Sequence, residues 1–195
     1  MFYEPKNGHG LPHNPFNAII TPRPIGWVST LSPDGVRNLA PYSFFNGVAY
    51  VPPQVMFAST GTKDSLSNIK ASGVFCINVV ERAAIDAMNV TSEGFDPSVD
   101  EFARAGLKVA ACETINAPRV ANAPAALECV VTDIHRLRGE DNHMVLGEVT
   151  GIHLRDDCIV DGLFDVTRYT PLARLGYRDY TSVTETFTLS RPDGT

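Results

Sequence analysis

The chain has 195 residues, with 16 Lys and Arg set against 22 Asp and Glu for a net charge of −6. That balance, with no basic run, speaks against a nucleic-acid or anionic-membrane partner. No apolar run approaches the ~20 residues of a membrane span. A hydrophobic fraction of 44% and a charged fraction of 19% describe one globular domain able to bury its own core.

Residues 1–17 hold three Pro and two Gly and read as an extended N-terminal arm. The arm is polar and lacks the apolar core of a signal peptide. No metal role is read for its His9 and His13. Ala18-Ile19-Ile20 reads as a short strand ended by Thr21-Pro22-Arg23-Pro24. Residues 25–31 are β-rich, and small Gly26 and Ser29 among large neighbours suggest that something approaches the backbone closely. Ser32-Pro33-Asp34-Gly35 is a turn, so residues 36–40 return as the second strand of a hairpin. Pro41-Tyr42-Ser43-Phe44-Phe45-Asn46-Gly47 then leaves regular structure. Its aromatics either pack in the core, the commoner outcome, or face a ligand.

Residues 55–58 form a buried strand leading into a polar turn and a short helix, with Leu66 and Ile69 on one face. Gly73 stands where a helix ends in the left-handed conformation. Thr62 or Asp64 is the candidate N-cap. A helix start directs unpaired N–H groups and partial positive charge at one spot. Ser59, Thr60, Thr62, Ser65 and the Lys63 ammonium surround it with more donors, as a phosphate requires. The same residues would also suit a joint that is merely well capped. Neither a dinucleotide fingerprint nor a P-loop motif is present.

Residues 74–80 read as a buried strand, 81–90 and 96–106 as short helices, and 107–109 as a further strand. Residues 127–137 and 143–154 form a second hairpin around a charged turn. The later strand is apolar on both faces in its middle, so helices or a second subunit must cover it. Residues 165–195 make a tail of aromatic and basic residues. Cys76, Cys112, Cys129 and Cys158 form no C-x-x-C pair and read as free thiols of a cytoplasmic protein. Six or so antiparallel strands with inserted helices indicate an all-β or α+β barrel.

Five pieces in order carry a resemblance over residues 17–150. They are Pro22-Arg23-Pro24-Ile25-Gly26-Trp27-Val28-Ser29-Thr30; Asn38-Leu39-Ala40-Pro41-Tyr42-Ser43-Phe44-Phe45-Asn46; Pro52-Pro53 followed by Lys63-Asp64-Ser65; Gly73-Val74-Phe75-Cys76-Ile77-Asn78; and His143 with Gly147-Glu148-Val149. Together they resemble the flavin reductase-like family. The resemblance implies a mainly β, six-stranded antiparallel Greek-key split barrel, homodimeric, with FMN near the subunit interface. It implies that Ser59, Thr60, Lys63, Asp64 and Ser65 surround the FMN phosphate, with Thr30 contributing. Trp27, Ser29, Pro41, Tyr42 and Ser43 would line the isoalloxazine. One departure stands out: this chain reads Asp141-Asn142-His143 where many members read Gly-Asp-His, the histidine there lying near the docked nicotinamide.

The expected activity is an FMN-dependent NAD(P)H:flavin reductase, with NADH or NADPH as co-substrate and a monooxygenase component as a further partner. No side-chain acid or nucleophile is required, because flavin N5 carries the chemistry. His143 and Arg174 are the candidate substrate contacts; from its own surroundings, beside Glu140 and Asp141, His143 reads as a solvated surface residue. The alternative is a flavin-binding electron carrier reduced by a protein partner.

Overall fold

The computed structural model describes residues 1–192, so the last three residues of the expected tail lie outside the described part. The arm holds a 3-10 turn at Pro5–Asn7 and then α1 (Phe16–Ile19). The strand expected at 18–20 is therefore helical instead. Asn14 Oδ1 accepts the Phe16 N–H at 3.0 Å and starts a helical turn that three apolar residues cannot override.

β1 (Arg23–Pro24), β2 (Gly26–Leu31) and β3 (Arg37–Tyr42) follow. The β2–β3 hairpin forms as the turn residues dictate, with Gly35 at φ +82° and its N–H bonded to Ser32 O at 3.0 Å. β4 (Phe45–Tyr50) comes next, then β5 (Pro53–Thr60), α2 (Asp64–Ser72) and β6 (Val74–Val79). Gly73 closes α2 in the left-handed conformation, as expected. α3 (Ile85–Val90) and α4 (Glu101–Arg104) are short. α4 covers less than the expected 96–106, because Asp96 is occupied in a turn with Ser98 while Asp100 supplies the cap. β7 (Val109–Ala111) and β8 (Pro118–Val120) precede the long hairpin of β9 (Ala125–Arg136) and β10 (Asn142–Leu154). The chain then adds β11 (Ile159–Val160), β12 (Leu163–Phe164), β13 (Leu172–Arg174) and β14 (Tyr180–Ser182).

The main sheet has seven strands in the order β3-β2-β6-β9-β10-β5-β4, not the expected six. The extra strand comes from the run read as a loop. After pairing with β2 as β3, the chain breaks at Ser43-Phe44 and pairs with β5 as β4. The two edges of the sheet are thus consecutive in sequence, and Ala58 N–H donates to Phe44 O at 2.8 Å where they meet. This junction curls the sheet around a core to which Val28, Tyr42, Phe57, Phe75, Cys129 and Val145 all contribute. α2 inserts Leu66 and Ile69 into the same core. The rings of Phe57 and Phe75 meet edge to face with centroids 5.5 Å apart. Each such fully buried ring contributes about 1.5–3 kcal/mol.

Outside the barrel, Trp27, Leu39, Met88, Phe102 and Leu172 form a second cluster. It packs α3, α4 and β13 against the outer face of β2 and β3. These covering elements form one wall of the cleft described next. Among the described residues, no helix is long and apolar enough to cross a membrane.

Candidate functional site

A cleft of about 420 Å³ opens where β3, the Ser43-Phe44 break, the end of β5 and the start of α2 come together. The loop through Ser92 to Phe95 and α4 close it from the other side. Pro41, Ser43 and Ser92 also border a second chamber of about 420 Å³, which contains Arg23 and Arg174. The two chambers therefore share a wall made by the chain break.

Asn38 organises the floor of the first chamber. Its Oδ1 accepts from Ser65 Oγ at 2.7 Å and Thr30 Oγ1 at 3.1 Å. Its Nδ2 donates to both carboxyl oxygens of Glu101, at 2.9 and 3.1 Å. Leu39 N–H donates to the same carboxyl at 2.8 Å, and Asn68 Nδ2 donates to Thr30 Oγ1 at 3.0 Å. Glu101 is 5% exposed. Burial pushes its carboxyl up to about 7, against the pull of the Leu39 and Asn38 hydrogen bonds. Nearby, the Tyr42 hydroxyl is buried with no hydrogen-bond partner among the described residues, and burial holds its phenol above the usual value.

Seven expected site residues line the first chamber: Pro41, Tyr42, Ser43, Thr60, Lys63, Asp64 and Ser65. Thr30 lies behind it and reaches it only through Asn38. Ser59 is 1% exposed and donates to Gly61 O at 3.0 Å rather than into the space. Trp27 and Ser29 line neither chamber. Trp27 Nε1 bonds Thr91 Oγ1 at 2.8 Å in the outer cluster, and Ser29 Oγ bonds Pro118 O at 2.6 Å. The close approach expected at Gly26 is made by the chain itself: a Cβ there would meet the Phe45 ring at 2.8 Å.

Two further expectations are corrected around α2. Neither Thr62 nor Asp64 caps the helix; the N-cap position is Lys63, whose ammonium cannot accept a hydrogen bond. Thr62 is bonded to the β9–β10 turn instead, its N–H donating to Asp141 Oδ2 at 2.7 Å. Asp141 stands at φ +48°, a conformation glycine adopts without strain. This accounts for the departure from Gly-Asp-His: the aspartate bears the strain and ties the turn to the loop before α2. His143 lines neither chamber and is 8% exposed, so it is not the solvated residue read from its neighbours. Its Nδ1 lies 3.6 Å from Asp141 Oδ1. Arg174, the other substrate candidate, lines the second chamber.

Sequence reasoning missed Asn38, Glu101 and Arg23. Asn38 and Arg23 carried a signal, Asn38 as a polar residue in the returning strand of a hairpin and Arg23 as a lone cation between two prolines. Glu101 carried none, since an acid in the first turn of a helix is explained by the helix dipole.

An antiparallel barrel with a donor-rich cleft at its seam defines a class of small-molecule-binding split barrels. The profile described as flavin reductase like domain matches residues 19–173, and the chain belongs to that family. An uncharacterised protein of Aquifex aeolicus is 35% identical over 168 residues, covering 83% of this chain and 85% of the relative. The crystal structure of nitrilotriacetate monooxygenase component B from Bacillus cereus superimposes with a TM-score of 0.85 at 27% identity, covering 93% of this chain and 100% of the other. The 2-nitrobenzoate 2-nitroreductase NbaA of Pseudomonas fluorescens gives 0.83 at 30% identity, covering 91% and 88%.

Proposed function

We propose that the first chamber binds FMN and that the protein is an oxidoreductase of the NAD(P)H:flavin reductase type. The observation that carries this reading is the donor set at the start of α2, beside the buried and unpartnered Tyr42 hydroxyl. Lys63 and the first-turn amides that have no partner within the helix would hold the phosphate, and Ser65 and Thr60 would join them by turning their hydroxyl protons from Asn38 Oδ1 and Asn142 Oδ1. Three carboxyl groups line the chamber, Asp64, Glu93 and Glu101, and Glu93 is exposed to solvent, which screens its charge. Asp64 sits in the first turn, where the helix dipole offsets its charge. Glu101 is half neutral near pH 7, given its raised value of about 7. Pro41 to Ser43 would lie along the isoalloxazine, where backbone and a small side chain leave room for a flat ring.

Bound there, FMN would supply the hydride acceptor, N5, for a reduced nicotinamide. The protein's own part is to grip the phosphate, orient the ring and exclude water from one of its faces. The relative named monooxygenase component B supports a monooxygenase as an eventual partner. Val48, Tyr50 and Val51, 52%, 89% and 85% exposed along edge strand β4 and the turn after it, support burial in a homodimer. One observation favours the electron-carrier alternative: His143, expected beside the nicotinamide, does not reach either chamber.

The visible spectrum of the purified protein, followed by titration with NADH and NADPH in the absence of oxygen, tests the reading. Flavin absorbance bleached by either nucleotide is the expected result. Bleaching only through a reduced redox protein would favour the carrier. A protein that takes up no FMN would remove the flavin reading altogether.

A further inference from the structure

The second chamber holds two guanidinium groups that the flavin reading does not use. Arg23 and Arg174 are register partners across β1 and β13. Neither forms an ion pair among the described residues. Arg23 is 6% exposed; its Nη1 donates to Asn17 O and Ile20 O, both at 2.5 Å, and its Nη2 to Leu175 O at 2.8 Å. These bonds tie the N-terminal arm to the β13–β14 turn and explain the terminal nitrogens. They leave the buried Nε–H without a partner.

Nor do they explain the second cation. Arg174 donates to Tyr177 O at 2.5 Å and lies 4.4 Å from the centroid of the Tyr180 ring, half-buried at the chamber wall. Burial, and then the neighbouring Arg174, lower the Arg23 guanidinium from its usual value, so the pairing costs stability. Two like charges facing a cavity without an acid concentrate positive potential in it, and such a field favours an anion. The rest of the wall mixes polar Asn17, Ser43, Asn89 and Ser92 with an apolar and aromatic side of Ile25, Met88, Tyr177 and Tyr180.

We propose that this chamber binds an organic acid carrying a planar ring, its carboxylate held by Arg174 and the free Nε–H of Arg23. A carboxylate matches the planar fork of a guanidinium, and a flat ring has Ile25, Met88 and Tyr177 to lie against, the Tyr180 face being taken by Arg174. The wall shared through Pro41, Ser43 and Ser92 sets the ring of the acid against the first chamber. That the acid there meets a flavin rests on the FMN reading; that the chamber holds the acid does not.

Calorimetric titration with benzoate, benzamide and inorganic phosphate tests this, on FMN-loaded protein and on protein stripped of flavin. Benzoate is expected to bind at least tenfold more tightly than either of the others. Arg174→Gln is expected to weaken benzoate at least tenfold, Arg174→Lys to retain part of the affinity, and both to keep FMN affinity within about threefold. Absent benzoate binding, equal binding of benzamide, or an unchanged benzoate affinity in Arg174→Gln would overturn the proposal. Phosphate binding as tightly as benzoate would also overturn it, assigning the chamber to a nucleotide's phosphates. Failure of FMN to bind would remove the flavin reading alone, because the flavin-free titration still reports on the arginines.

Discussion

Glu101 reaches the cleft from a four-residue helix, and its carboxyl gathers bonds from Asn38 and the Leu39 amide. Its value of about 7 lies above the 4.5 of the unfolded chain. Between those two values the native state holds the extra proton, so stability falls as pH rises through that window and levels off above it. The full difference is about 3 kcal/mol. Urea unfolding midpoints at pH 5 and pH 8 should show that loss in wild type and a much smaller one in Glu101→Gln. The variant should also start about 1–3 kcal/mol less stable at pH 5, because its amide sets a donor against Asn38 Nδ2. An equal pH dependence in the two proteins would remove Glu101 as the source. At this scale the sequence was a partial guide. β2 is buried along nearly its whole length on both faces, so no polar alternation showed which of its residues face the cleft. Trp27 and Ser29 were assigned to the cleft and belong to the outer cluster and the β8 contact. The turn into α2 was more legible, since small polar residues beside a helix start have few other uses.

The β9–β10 turn shows how one element positions another. Asp141 O accepts Gly61 N–H at 2.8 Å while its carboxylate holds Thr62, so the turn fixes the loop that carries Lys63. Asp141→Ala removes the carboxylate and keeps the strained backbone, and should cost about 1–3 kcal/mol in unfolding free energy. Asp141→Gly loses the same bonds but relieves the backbone, and should be the more stable of the two. If alanine and glycine variants unfold at the same denaturant concentration, the strain assigned to φ +48° is absent. Both hairpins were readable from their turn residues and apolar runs. The split into β3 and β4 was not, because a strand that changes partner keeps its β character while two residues break its direction. Ser43, Asn46 and Gly47 set among the aromatics made that stretch read as leaving regular structure. The helix expected at 96–106 forms only as α4, because its first acid is held by a local turn.

On the scale of the whole molecule, the chain ends that read as arm and tail both help to build the second chamber. Asn17 comes from one, Arg174, Tyr177 and Tyr180 from the other. A Cβ on Gly176 would lie 2.4 Å from Ala18 Cβ, so the two ends pack tightly. That closure is long-range and left no local pattern in the sequence. The barrel itself was legible because local hairpins supply most of its ladder. A homodimer covering edge strand β4 should appear in light scattering at micromolar concentration, and replacing Tyr50 by Glu should shift it towards monomer. A wild-type monomer loaded with flavin would contradict that interface. The central claim, that the donors at the start of α2 hold a phosphate, is tested most directly by comparing FMN with riboflavin on wild type and Lys63→Ala. Wild type should bind FMN at least about tenfold more tightly than riboflavin, and the substitution should weaken FMN by about 1.5–3 kcal/mol, roughly ten- to hundredfold in Kd, while leaving riboflavin unchanged. Equal affinity for the two flavins, or an FMN affinity that Lys63→Ala does not alter, would contradict the account.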